Sequence, residues 1–159
     1  MTKRKTKIKL LDGLFIDPFR EEVRRVQVAN DLDVWYKLLY CHGVECASLA
    51  ESPEGALDLW FDEEFLFREP RLPAFRLTSS KATGSNVYII HGYALVLASN
   101  QKGQSVSLSS SQASADWFLR ETQLAFEKWR NRLTRSDFFI PQMIRTPELE
   151  FPDRFKYLP

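Results

Sequence analysis

The chain has 159 residues, 44% of them hydrophobic and 27% charged, with a formal net charge of +1. That length suits one domain, and a chain of this size buries about two-thirds of its unfolded surface, enough for a core without disulfides or metal. The near-neutral charge excludes field-driven attraction to nucleic acid or to an anionic membrane; no apolar run is long enough to span a bilayer, and the basic start, Met1 to Lys9, lacks the apolar segment of a secretory signal. A cytoplasmic protein is expected. The two cysteines, Cys41 and Cys46, do not resemble a disulfide framework.

In chain order, Ile8 to Ile16 reads as a strand containing Gly13, where a bulge or close approach is expected. Asp17-Pro18-Phe19-Arg20 is a turn, and Glu22 to Val28 returns as the second strand of a hairpin. Asn30 is placed to cap a short helix whose apolar face carries Leu32, Trp35, Tyr36 and Leu39. Gly43 sits where a left-handed C-cap is needed. Val44 to Leu49 and Leu57 to Phe61 are strands around the turn Ser52-Pro53-Glu54-Gly55, and Phe65 to Phe67 is a short third strand beyond the acidic corner Asp62-Glu63-Glu64. Arg71 to Thr78 reads as irregular beside Pro70 and Pro73, and Ser79 to Asn86 as a loop.

Val87 to Leu97 is the most strand-like run, apolar on both faces like a central strand, with Gly92 as a kink. Asn100 to Gly103 is a turn and Ser105 to Leu108 a return strand. From Ala115, the residues Phe118, Thr122, Phe126, Trp129 and Leu133 recur at helical spacing, which predicts one long amphipathic helix. Beyond it, four prolines alternate with large apolar residues. The expected fold class is α+β: a mainly antiparallel sheet, one short helix, one long C-terminal amphipathic helix, then an extended aromatic and proline-rich tail. The domain is expected over residues 1–135 and the tail over 136–159.

The candidate chemistry is sparse. Cys41, His42 and Cys46 are three soft ligands where a structural zinc site wants four, so no metal or cofactor is expected. A cysteine nucleophile or an acid–base role for His91 lacks a partner constellation, so the chain reads as a non-enzyme with no catalytic residues. The acidic corner at Asp62 reads as a solvated turn. Arg120 and Arg130, with Lys128, Arg132 and Arg135, lie on the outer side of the long helix, but Glu121 and Glu127 dilute that patch and nucleic-acid binding is not the favoured reading. The tail must cover its aromatics. Phe138 to Met143 is expected to pack on the body, and Phe151, Phe155 and Tyr157, with Arg120 and Arg130 of the long helix, to face a protein partner, a second copy of the chain included.

The succession Asp17-Pro18, a valine-rich return strand, Asn30-Asp31-Leu32, Gly43, Asp62-Glu63-Glu64 with Leu66, Gly92 and Gly103 resembles a family of small phage- and plasmid-associated domains of unknown function, over about Ile8 to Leu108. The resemblance implies a mobile-element origin and supplies no activity or site residue. The segment Arg68 to Asn86, the long helix and the tail are additions to the family pattern.

The leading expectation is therefore an interaction protein, acting on a host defence protein if the gene is phage-borne. The alternative is a small-ligand binder that sequesters a nucleotide signal in a pocket of Arg76, His91 and Tyr93. A nucleic-acid-binding accessory role is the third reading.

Overall fold

The computed structural model describes residues 7–68, 71–81, 84–127 and 151–159. The N-terminal hairpin forms as expected: Leu10–Asp17 (β1) pairs antiparallel with Glu22–Ala29 (β2). Asp17, buried in the turn, accepts the backbone N–H groups of Phe19 and Arg20 and the Arg20 guanidinium at 2.7 Å. Leu32–Leu38 (α1) follows, capped by Asp31, one residue beyond the expected Asn30; its carboxylate accepts the N–H of Asp33. The buried face is Val34, Trp35, Leu38 and Leu39, while Leu32 stays exposed. Trp35 Nε1 donates to the carbonyl of Ala29 at 2.9 Å and fixes the helix against the end of β2.

The left-handed residue that ends α1 is Tyr40, at φ 56°, not Gly43. Tyr40 N–H donates to Lys37 O and Cys41 N–H to Tyr36 O, the bond pair of a Schellman ending. Gly43 serves another purpose. A Cβ there would lie 2.1 Å from Glu63 Oε1, so the missing side chain makes room for that carboxylate.

Val44–Ser52 (β3) and Gly55–Asp62 (β4) pair antiparallel, with a bulge between Ser48 and Ala50. Phe65–Phe67 is a single 3-10 turn, not a strand. Ala74–Lys81 (β5) and Gly84–His91 (β6) pair antiparallel, although an irregular stretch was expected up to Thr78 and a loop from Ser79 to Asn86. Pro73 is no obstacle because it precedes the first strand residue, and its carbonyl accepts the N–H of Gly92 at 2.8 Å. The single strand expected over Val87 to Leu97 is two: Gly92, at φ 96°, turns the chain out of β6 and into Ala94–Asn100 (β7) in another sheet. Ser105–Val106 (β8) pairs with β7.

The long C-terminal helix is also corrected. Ala115–Thr122 (α2) stops where Gln123 takes φ 49°, and Ala125–Phe126 (β9) then pairs with β5. Trp129 and Leu133 lie outside the described residues. Phe155–Tyr157 (β10) pairs with β2 as part of the same body. The fold class is accordingly an antiparallel β architecture with two short helices among the described residues.

One sheet runs β10-β2-β1-β7-β4-β3 with β8 beside β7, and the other β6-β5-β9. On one face of the larger sheet, Leu11, Phe15, Val26, Val28, Leu95 and Leu97 pack on Trp35, Leu38 and Leu39 of α1 and on Phe155. On the opposite face, Leu14, Ile16, Leu57, Leu59 and Val96 pack on Phe75, Leu77 and Ile90 of the smaller sheet and on Phe118 of α2. β7 is buried on both sides, as its apolar sequence requires.

Candidate interaction surface

A sheet edge exposes unpaired backbone groups, and proteins guard such edges with charge, proline, bulges or brevity. Three edges here are guarded. β10 and β9 are three and two residues long, and β3 carries the bulge together with exposed Glu45 and Glu51. β6 differs. It has eight residues, Gly-Ser-Asn-Val-Tyr-Ile-Ile-His, with no proline and no side chain carrying a fixed charge. Its register with β5 runs unbroken from Ala74 opposite His91 to Lys81 opposite Gly84, and among the described residues it pairs with β5 alone.

The inward side chains of this hairpin, Phe75, Leu77 and Ile90, enter the core. The outward face of β6 presents Val87, 62% exposed, and Ile89, 51% exposed. Opposite them on β5 stand Thr78 and the exposed Arg76. At the His91 end, the Phe65 ring stacks on the imidazole with centroids 6.0 Å apart. This sets the 3-10 turn, with Leu66 at 52% and Phe67 at 83% exposure, beside β6. The sequence reading placed Val87 and Ile89 inside a doubly buried strand. The available signal was that the run before Gly92 has four consecutive apolar residues and no charge, which suits an open edge as well as a core.

Arg76 and His91 share this outward surface, but Tyr93 does not. It is buried in the α1-side core, stacked on Phe15 at 5.3 Å and tilted against Phe19 at 5.2 Å. The expected three-residue ligand pocket is therefore not assembled. His91 Nδ1–H donates to the Leu72 carbonyl at 2.6 Å, which fixes the tautomer. Arg120 is exposed on α2, and Arg130 lies outside the described residues.

The tail residues expected to face a partner pack on the chain's own body. Phe155 is 1% exposed and packs edge-on to Phe15. Tyr157 lies under the Arg24 guanidinium at 3.9 Å, and burial pushes its hydroxyl up to about 12. Phe151 is half-buried, with the Lys37 ammonium 5.5 Å above its ring. The strand β10 covers the edge of β2, with Phe155 opposite Val28 and Tyr157 opposite Val26. The segment Phe138 to Met143 lies outside the described residues.

One concavity escaped the sequence reading: a cleft of about 620 Å³ at the end of α1, lined by Asp33, Tyr36, Lys37, Tyr40, Cys41, His42 and Arg68. Its strongest cation is already committed, since Arg68 pairs with Asp62 and donates to the Tyr40 carbonyl at 2.6 Å. Burial, reinforced by Asp62, pushes the Cys41 thiol up to about 12, far from the thiolate a nucleophile needs. Among the described residues, no three His, Cys, Asp or Glu side chains converge on a metal position, and no helix is long and apolar enough to cross a membrane. Comparison with family models, with curated proteins and with solved structures finds no match to this chain.

Proposed function

We propose that this chain is a non-enzymatic interaction protein that accepts an extended strand of a partner on the open edge of β6. The observation that carries the reading is the contrast between β6 and the other edges: eight residues, no fixed charge, and outward Val87 and Ile89 largely in water. Strand addition would satisfy the edge N–H and C=O groups, and the outward apolar side chains would give it specificity. Apolar area removed from water is worth about 25 cal/mol per Å², so Val87, Ile89 and Phe67 together would supply a substantial share of the affinity. The Cys41 thiol, held protonated by burial, supports the non-enzymatic part of the reading. The resemblance over residues 8–108 would give this role a mobile-element setting and contributes no residue to the surface.

The test is a photo-crosslinking side chain at position 87, activated in the native cell. Defined adducts are expected, lost in Ile89→Lys and in Phe67→Asp while the melting temperature stays that of the parent. Absence of adducts, or adducts that survive both substitutions, would show that β6 is not the docking edge.

A further inference from the structure

We infer that the strand β6 accepts is β6 of a second copy of this chain, paired antiparallel about a two-fold axis through Tyr88; this rests on the strand-acceptor reading above. Residues directly opposite in an antiparallel pair lie on the same face. Outward positions of one copy must therefore meet outward positions of the other. Registers that shift the pairing by one residue bring an inward side chain against an outward one and are excluded by the packing of Phe75, Leu77 and Ile90 on the larger sheet.

Among the remaining two-fold registers, centring on Val87 sets Ile89 against Ser85, and centring on Ile89 sets Val87 against His91. Only the register centred on Tyr88 sets Val87 against Ile89 twice, once on each side of the axis. The smaller sheet would then continue through both copies. Each outward row would read Arg76, Ile89, then Val87 and Thr78 of the other copy, following the observed pairing of Arg76 with Ile89 and of Thr78 with Val87.

Charge favours the same occupant. β6 has no fixed charge to repel its own image, and the whole chain carries only +1. The two Arg76 residues would stand three strand spacings across and two residues along the sheet from one another, about 16 Å, beyond the screening length of about 8 Å in physiological salt. The strand that best complements an outward Val-x-Ile is an antiparallel Ile-x-Val, which a second copy presents.

The experiment measures the mass of the full chain by sedimentation over a range of concentrations. A reversible species of twice 18.6 kDa is expected. Ile89→Lys should weaken it by about tenfold or more, because each dimer then sets two ammonium groups against valine. Register is read by disulfide formation in a Cys46→Ser background. Val87→Cys and Ile89→Cys chains should cross-link when mixed and not when oxidised separately, since in this register position 87 faces 89 of the other copy. A monomer at every concentration, a dimer indifferent to Ile89→Lys, or cross-linking within either single variant would overturn the inference. A monomer whose position-87 adducts contain a different protein and vanish in Ile89→Lys would overturn self-pairing and leave the strand-acceptor reading standing. A monomer without adducts would end both.

Discussion

At Gly55 the backbone sits at φ 150°, and a Cβ there would lie 1.8 Å from the carbonyl oxygen of Ser99 on the neighbouring strand. Backbone cannot yield as a side chain can, so Gly55→Ala is expected to lose about 3 kcal/mol or more of stability, combining conformational strain with displacement of β4 from β7. Gly43→Ala is the control. Its added methyl would meet only the carboxylate end of Glu63, an exposed side chain free to rotate away, so a loss below about 1 kcal/mol is expected. Urea midpoints of the two variants check the order, and a reversal would mean that the close approach lies at Gly43. Both glycines read as turn residues in the sequence. Which of them faces backbone depends on strands brought together from elsewhere in the chain, and no local pattern carries that.

At the scale of elements, α2 shows how a periodicity can outlive the helix it announces. Ala115, Phe118, Thr122 and Phe126 keep helical spacing, yet Gln123 turns left-handed and Phe126 pairs with Phe75 on β5. The exposed Gln123 carries a strain that glycine would not, so Gln123→Gly is expected to raise stability by about 0.5–1 kcal/mol in a denaturant titration. An unchanged or lower midpoint would place the helix end elsewhere. β10 permits a sharper check. With its ring 1% exposed, Phe155→Ala should cost about 3–5 kcal/mol, whereas a side chain serving only a partner would leave the midpoint unmoved. The hairpin of β1 and β2 and the pair β3 and β4 were legible because turn residues mark them locally, and the helix between them because its apolar residues recur at helical spacing. β5 and the first residues of β6 were not, because their small and polar residues form strands only once Phe75 and Leu77 find the larger sheet. The exposure of β6 was hidden for a related reason: Val87 and Ile89 look like core residues until Gly92 is seen to send the chain into a different sheet.

For the whole molecule, the buried Cys41 and the half-buried Tyr157 set an alkaline limit. Burial raises Cys41 from 9.0 to about 12 and Tyr157 from 10.0 to about 12. A group that holds its proton more tightly when folded contributes stability that is whole below its unfolded value and is lost as pH rises toward the folded one. Stability should therefore hold on this account up to about pH 9 and fall between about 9 and 12. Tyr157→Phe and Cys41→Ala should each flatten the fall in a series of urea titrations, and a Tyr157→Phe curve parallel to the parent would refute the assignment. The pairing of β10 with β2 also has a kinetic consequence. Val28 and Phe155 are roughly 130 residues apart, so their meeting closes one of the longest loops in the chain, whereas β1 and β2 meet across a tight turn. Loop closure must be met before such a distant contact repays it, which places the hairpin early and the clasp late in folding. Contacts absent from the transition state govern unfolding alone. The Phe155→Ala chain should accordingly refold at the parental rate and unfold faster, by the whole of its lost stability.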